Sequence, residues 1–429
     1  MSSQEISTLE PVPFQFTQPD LEASTRNTSP TCDKAEPTRK FVWPRARKFC
    51  GLPKKIFIIL TTITTLLILG AIVGGAVGGT RGEKKMQIPT LPLPVQTNTT
   101  SLFHNSSLAA VSWADSYGAL HRAVFYQNTH SDIYMSSWDA KKQTWKVSQV
   151  IDRRFRLPPA TGTSIAASVN PSTDNFRLTV YYYSAIFTVM ELYTEATEDS
   201  WEMGSLSVNA PMGLVDSKLA VAYQYCTSSR CANSTVIVYQ LMEGTLQSAT
   251  KLPSAQGWNY TLFNDRVSRG TGIALLPFPK TNRTEWDTLK FFAEKNGAMQ
   301  EYTKFEVSED WTIGPADNFP NFSLASPAKI AATALPIESP NESWQSFVVS
   351  LDHQRKLQCM LGLRASKMGE PRTPVLSRAF GEFDDVALDR NQHFYGISGG
   401  KIYEYEISLQ NPWSWNFLSV VDTTTGEQN

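Results

Sequence analysis

The sequence predicts an all-β domain, a six-bladed β-propeller, preceded by a disordered tail and one transmembrane helix. This prediction rests on three observations. The chain has an uncharged segment of membrane-spanning length, the part after this segment shows a pattern that recurs about every 55 residues, and most of these repeats contain a tryptophan. We divide the chain into a disordered cytosolic tail (1–55), a transmembrane helix (56–79), a stalk (80–107), the propeller (108–422) and a C-terminal tail (423–429).

Composition narrows the classes of protein that fit. Charged residues form 18% of the 429 residues, below the roughly 25% of an ordinary soluble domain. Lys and Arg total 39 against 40 Asp and Glu, so the excess positive charge of a nucleic-acid-binding protein is missing. Five His and five Cys argue against a multi-ligand zinc or iron–sulfur protein. We expect no nucleic-acid partner, no metal and no other cofactor.

Residues 56–79 contain no charged side chain. About 20 such residues span the hydrocarbon core, so we predict a helix in the lipid bilayer. A secretory signal peptide would be shorter and closer to the N-terminus. Seven basic residues and no acidic one lie in 37–55, whereas Glu83 dilutes the basic residues that follow the helix. The positive-inside rule then predicts a single-pass type II protein of the plasma membrane or secretory pathway, with its C-terminus extracellular or lumenal.

Glycosylation sequons favour the same orientation. Seven Asn-x-Ser/Thr motifs follow the membrane segment, as expected of a surface that passes through the secretory pathway. They are Asn98, Asn105, Asn233, Asn259, Asn282, Asn321 and Asn341.

Three glycines in the membrane segment stand four residues apart. Gly70, Gly74 and Gly78 have the small-xxx-small spacing that lets two transmembrane helices approach closely. They would allow a homodimer, although glycine is common in such helices without any dimer.

The repeat defines the predicted fold. A short apolar strand starts at Leu108, Ile165, Leu219, Ile273, Ile330 and Val386. A second strand, rich in Val, Tyr and Phe, starts at or near Ala123, Thr179, Val236, Lys290, Phe347 and His393. A third strand ends in a tryptophan at Trp145, Trp201, Trp258, Trp311 and Trp415, and the fifth repeat lacks one. Four-stranded units of this length, arranged radially, form a propeller whose closure protects the sheet edges.

The cysteines outside the tail have simple interpretations. Cys226 and Cys231, in the sequence CTSSRC between two strands, are predicted to form a local disulfide outside the cell. Cys359 is then a buried small apolar residue. The repeated tryptophans are expected to pack between blades.

The repeat motif resembles that of the fungal fucose-specific lectins. It consists of a strand of the form Arg-Val-Tyr-Tyr-Gln, a glycine, Ile-x-Glu and then a tryptophan, and the resemblance covers 108–422. It implies a fungal source and six blades with fucose pockets between adjacent blades. In such a pocket an Arg and a Glu of one blade bind sugar hydroxyls, and an aromatic ring of the next blade covers the apolar side.

Carried onto this sequence, the resemblance implies three candidate pockets. The Arg positions hold Ala123, Thr179, Val236, Lys290, a residue near Phe347, and His393, and the Glu positions hold Met135, Glu191, Ser248, Glu301, Cys359 and Glu404. No repeat keeps both family residues. The candidates are Lys290 with Glu301, His393 with Glu404 and Trp145, and Glu191 with Trp258.

Three functions remain open. The first is a lectin that binds glycans, such as fucosylated ones, without catalysis. The second is a propeller that has lost sugar binding and serves as a protein-interaction platform. The third is a glycosidase, which needs two carboxylates facing one sugar. Asp384 and Asp385 are adjacent and would point to opposite faces of a strand. With no G-x-S-x-G motif either, we expect no enzyme.

Overall fold

The structure is a computed structural model that describes residues 101–151, 156–172, 176–195, 200–224, 233–253, 255–278, 288–304, 310–314, 319, 324–336, 344–363 and 367–424. The predicted cytosolic tail, the segment 56–79 with its three spaced glycines and residues 80–100 lie outside this part of the chain, as do Cys226, Cys231, Asn98, Asn282, Asn321 and Asn341. Within the described ranges, no helix has the length and apolar character that a membrane span requires.

Six antiparallel sheets follow one another along the described chain, and we number them blades 1 to 6. Blade 1 contains β1 (Ala109–Ala114), β2 (Leu120–Gln127), β3 (Ile133–Asp139) and β4 (Thr144–Ile151). Blade 2 contains β5 (Ile165–Asn170), β6 (Arg177–Tyr183), β7 (Val189–Thr194) and β8 (Glu202–Met203). Blade 3 contains β9 (Ala220–Gln224), β10 (Ser234–Gln240), β11 (Thr245–Lys251) and β12 (Asn259–Arg266), and the short helix α1 (Ser205–Asn209) precedes it.

The second half of the ring has the same organisation. Blade 4 contains β13 (Ile273–Phe278), β14 (Thr288–Lys295), β15 (Ala298–Lys304) and β16 (Thr312–Ile313). Blade 5 contains β17 (Ile330–Pro336), β18 (Trp344–Leu351), β19 (Leu357–Leu363) and β20 (Lys367–Met368). Blade 6 contains β22 (Asp385–Leu388), β23 (His393–Ser398), β24 (Lys401–Ile407) and β25 (Ser414–Val421), and β21 (Val375–Leu376) pairs in parallel with β25 at its outer edge.

The second strand of each blade is a run of β-branched and aromatic residues, and neighbouring blades cover both of its faces. In β2 every residue from Arg122 to Gln127 is buried, which explains why the run does not alternate with polar residues. Gly244 and Gly297 form the turns after β10 and β14 with φ of +88° and +79°, a region that favours glycine.

The innermost strands of all six blades line a central channel, so the predicted six-bladed propeller is confirmed. Each strand contributes to the channel wall, for example through Val111, Val169, Val221, Leu275, Ala332 and Leu388. The ring closes between blades 6 and 1, an interface that we call the seam. No strand is shared across the seam in the described residues. Side chains join it instead: Asp385 Oδ2 accepts from Leu108 N at 3.1 Å, and Asn391 Nδ2 donates to Ser112 Oγ at 2.9 Å.

The repeated tryptophans pack between blades, as predicted. Trp415 is fully buried with Phe347 of blade 5, and Trp258 packs with Tyr181 of blade 2. One detail was wrong, because these tryptophans lie at the beginning of the fourth strand or one residue before it, instead of at the end of the third. In blade 1, a tight turn precedes the fourth strand, and Trp145 is the second residue of that strand.

The predicted boundary of the stalk extends too far toward the propeller. Leu102 is buried and forms a β-bridge with Asn128, and Ser106 Oγ accepts a hydrogen bond from Gln127 N at 2.7 Å. Residues 101–107 therefore pack on blade 1. Of the described sequons, Asn105 and Asn259 are exposed and Asn233 is half-buried. Cys359 is buried and unpaired, as expected.

Candidate functional site

The residues aligned by the family motif occupy equivalent positions in all six blades. Each Glu position is the Cα partner of the same position in the second strand, as in the pairs Tyr181 with Glu191, Phe292 with Glu301 and Tyr395 with Glu404. All six are buried: Met135, Glu191, Ser248, Glu301, Cys359 and Glu404. Each faces the next blade, since Met135 packs with blade 2 and Cys359 with blade 6. These positions therefore mark the interfaces between blades.

Lys290 and Glu301 form an ion pair across the Gly297 turn. Lys290 Nζ lies 3.0 Å from Glu301 Oε1, which also accepts a hydrogen bond from Thr303 Oγ1 at 3.2 Å. The Glu301 side chain is 3% exposed, whereas that of Lys290 is 17% exposed and lies over the Phe278 ring at 5.1 Å. A partly buried cation thus stands beside a buried carboxylate at the interface of blades 4 and 5.

Aromatic side chains also line this interface. Trp344, at the start of β18, packs against the cluster formed by Phe292, Phe319 and Met360. The sequence had assigned no tryptophan to the fifth blade, because Trp344 occurs on a different strand from the repeated ones. Blade 5 therefore does supply an indole to its interface with blade 4.

The Glu404 carboxylate accepts hydrogen bonds from other side chains of the protein. Arg122 of blade 1 donates to Glu404 Oε1 at 2.5 Å across the seam, Tyr395 donates to the same oxygen at 3.0 Å, and Ser419 Oγ donates to Oε2 at 2.8 Å. Trp145 reaches this site as predicted, because its Nε1 donates to Ser419 Oγ at 3.2 Å. The two carboxylate oxygens thus already accept three hydrogen bonds.

His393, the predicted partner of Glu404, bonds elsewhere. Its Nδ1 lies 3.1 Å from Asp389 Oδ2, a pair within one turn of the chain. Sequence reasoning missed the true partner, Arg122, because it belongs to the opposite end of the propeller and lies 282 residues away. Its guanidinium stacks over Trp138 and Trp145, at 4.6 and 5.6 Å.

Glu191 is sealed by α1. Leu206 N of this helix donates to Glu191 Oε2 at 2.8 Å, and Tyr181 OH donates to Oε1 at 3.3 Å. Trp258 comes close as predicted, but its Nε1 donates to Ser205 Oγ of the helix at 3.0 Å. The helix therefore stands between the carboxylate and any ligand.

Burial governs the protonation of both occupied carboxylates. It raises the pKa of Glu404, against the opposing effect of Arg122, and it raises the pKa of Glu191, against the hydrogen bond from Leu206. Both groups behave as buried structural carboxyls.

The acidic pair considered for catalysis is divided between two locations. Asp384 is 28% exposed and bonds to Arg355 at 2.6 Å, whereas Asp385 is 3% exposed and bonds to Lys218 at 2.5 Å. Lys329 lies 3.9 Å from the same Asp385 carboxylate. The two acids do not face one sugar.

Comparison with solved structures identifies the fold. The fucose-specific lectin from Aleuria aurantia (mercury-derivative form) matches with a TM-score of 0.59 and 16% identity, over 77% of this chain and 100% of the lectin. AofleA from Arthrobotrys oligospora matches with a TM-score of 0.57 and 17% identity, over 75% of this chain and 89% of AofleA. The SapL1 lectin, solved with α-methyl fucoside, matches with a TM-score of 0.55 and 13% identity, over 76% of this chain and 99% of SapL1. No protein-family model and no curated protein sequence matches the chain. The chain has the six-bladed β-propeller fold of the Aleuria aurantia lectin and related fungal lectins.

Proposed function

We propose that this chain is a membrane-anchored, fucose-lectin-like propeller that binds glycans without transforming them. One observation carries the proposal: Lys290 and Glu301 stand together between blades 4 and 5, at the two positions that resemble the Arg and Glu of the fucose pocket. The solved structures with this fold are lectins, two of which are named for fucose or contain a fucoside. The apolar segment 56–79 and its basic N-terminal flank support the anchor and the type II orientation.

The pocket is expected to bind weakly. A sugar there would exchange water for hydrogen bonds to a carboxylate and an ammonium, each contributing roughly 1.5–3 kcal/mol. An ammonium lacks the planar fork with which a guanidinium binds vicinal hydroxyls, so monovalent affinity should be about millimolar. Useful retention would then require many rings on one membrane.

A binding assay with matched variants tests the proposal. The full-length chain, in a detergent without a sugar headgroup, is applied to a multivalent fucosylated surface. We expect Glu301→Gln to reduce retention several-fold, whereas Glu243→Gln, the same change at an exposed carboxylate in the turn after β10, leaves it unaltered. Tryptophan fluorescence of each variant checks folding. Retention that survives Glu301→Gln would place sugar binding elsewhere.

The platform hypothesis remains the second candidate. Two of the three retained carboxylates are taken by Arg122 and by α1, which is what the loss of sugar pockets would produce. If the parent chain binds no glycan on a broad array, this function replaces the first. A glycosidase is the weakest candidate, since Asp384 and Asp385 have separate partners.

A further inference from the structure

A groove of about 560 Å³ lies between blades 2 and 3. It lies at the end of the inner strand β5, where Asn170 is part of its lining. Arg177 and Thr179 form its wall on blade 2, and Tyr223, Thr235 and Lys251 form its wall on blade 3. The volume accommodates a monosaccharide with part of a second sugar unit.

Two cations of the groove come from opposite walls. Arg177 lies two residues before Thr179 on β6, so its side chain leaves the same face of the strand, toward blade 3. Its guanidinium lies 3.5 Å from the centre of the Tyr193 ring, which holds it flat. On the other wall, Lys251 Nζ donates to Ala255 O at 2.7 Å. Both cations oppose the rise in pKa of Glu191, so both positive charges lie near this carboxyl group.

The nearby acids do not compensate both cations from within the groove. The Glu191 carboxylate lies behind α1, with one hydrogen bond to each oxygen. Glu195 lines the groove but is exposed, beyond the end of β7, and the exposed Glu202 accepts a hydrogen bond from Tyr193 OH at 2.8 Å. The interior of the groove therefore offers a planar guanidinium and an ammonium, together with threonine hydroxyls and the Tyr223 ring.

We propose that this groove binds a saccharide that carries a carboxylate, such as a uronic acid. Arg177 would hold the carboxylate through paired N–H donors, Lys251 would approach it from blade 3, and the sugar ring would lie along the Tyr223 wall. The inference rests on the proposed function only because it treats the propeller as a protein that binds glycans. It uses another interface than Lys290 and Glu301, and it assigns an acidic sugar in place of neutral fucose.

The test compares two probes that differ only at C6, where one carries a carboxylate and the other a neutral hydroxymethyl group. Binding of methyl β-glucuronide and methyl β-glucoside to the full-length chain is measured by saturation-transfer NMR. We expect the glucuronide to bind about tenfold more tightly, as one additional charge-assisted contact implies, and to weaken as salt is raised. Equal binding of the two probes would overturn the proposal.

Variants locate the site. Arg177→Gln should lower glucuronide binding about tenfold, Arg177→Lys should lower it less, and Lys251→Met should lower it as well. Lys142→Met, at an exposed position of blade 1, is the control and should leave it unchanged. Glucuronide binding that persists in both Arg177→Gln and Lys251→Met contradicts the assignment.

Two further measurements distinguish failure of this inference from failure of the proposed function. Asn233, a predicted glycosylation site, also borders the groove, so titrations are repeated after enzymatic removal of N-glycans. Absence of glucuronide binding in both states overturns the inference. Fucose retention in the same preparation reports on the blade 4–5 pocket, so loss of one activity is distinguishable from loss of the other.

Discussion

At the scale of single residues, the ion pair of Arg122 with Glu404 places two opposite charges inside the interface of blades 6 and 1. Both side chains are at most 8% exposed, and Arg122 Nε has no hydrogen-bond partner among the described residues. A buried pair adds little net stability over apolar residues, but removing one partner leaves the other charge uncompensated. We expect Arg122→Met to lower the free energy of unfolding by about 3–5 kcal/mol, measured from urea unfolding followed by tryptophan fluorescence.

Exposed Lys142, which lies 3.8 Å from Asp139, supplies the control for this measurement. Lys142→Ala should have no measurable effect, because surface ion pairs contribute little. If Arg122→Met lowers the free energy of unfolding as little as Lys142→Ala does, then burial of Glu404 does not require the Arg122 cation.

The same variant should respond to pH in a defined direction. Burial raises the pKa of Glu404, and Arg122 opposes this rise. A carboxyl with a raised pKa binds its proton more tightly in the folded than in the unfolded chain, so its contribution to stability is lost as pH rises above the ordinary value of 4.5. Arg122→Met should therefore destabilise the fold more at pH 7 than at pH 4.5, in urea titrations at the two values. An equal loss at both pH values would show that Arg122 does not lower the pKa of Glu404 in the folded chain.

At the scale of elements, α1 depends on the absence of a side chain at Gly204. A Cβ at this residue would overlap the Glu191 carboxyl group, and Glu191 holds the helix through Leu206 N. We expect Gly204→Ala to lower the free energy of unfolding by about 1–3 kcal/mol, through overpacking and a lost hydrogen bond. Gly257→Ala is the matched control, because a Cβ at that residue would meet no other atom within 4 Å. Comparable unfolding midpoints for the two variants would mean that α1 accommodates the added methyl group without loss of stability.

Sequence periodicity predicted the elements that repeat and missed those that occur once. The inner and second strands recur with the same apolar runs, so their number follows from the period. Among the described residues, helix α1 and strand β21 have no counterpart in other repeats, and only contacts with Glu191 and β25 explain them. The Lys290–Glu301 pair was predictable, since one turn joins its strands. Arg122 was not, because adjacent strand residues face different blades and its partner is reached only by closing the ring.

At the scale of the whole molecule, the proposed orientation can be tested through glycans. Asn105 and Asn259 are exposed in the described part of the chain and would be accessible to the glycosylation machinery in the lumen. We expect enzymatic removal of N-glycans to lower the apparent mass of the full-length protein on a gel. The Asn105→Gln, Asn259→Gln double variant should show a smaller change than the parent.

An epitope tag at the N-terminus completes the topology test. It should bind antibody only in permeabilised cells, because in the proposed orientation the basic flank would retain the N-terminus in the cytosol. Staining of intact cells would refute the type II orientation. Cross-linking of a Gly70→Ile, Gly74→Ile variant would separately test the homodimer, since bulky residues at these positions keep helices apart.

The seam has a genetic consequence. Since every described blade is a complete sheet made from consecutive residues, a duplication or deletion of one repeat in frame adds or removes a whole blade and leaves the other ladders intact. Propellers whose first and last strands share a sheet lack this freedom, because such an event would separate the two halves of one blade. Whether a chain with one repeat more or fewer still closes into a ring would therefore depend mainly on the few side chains through which the last repeat contacts the first.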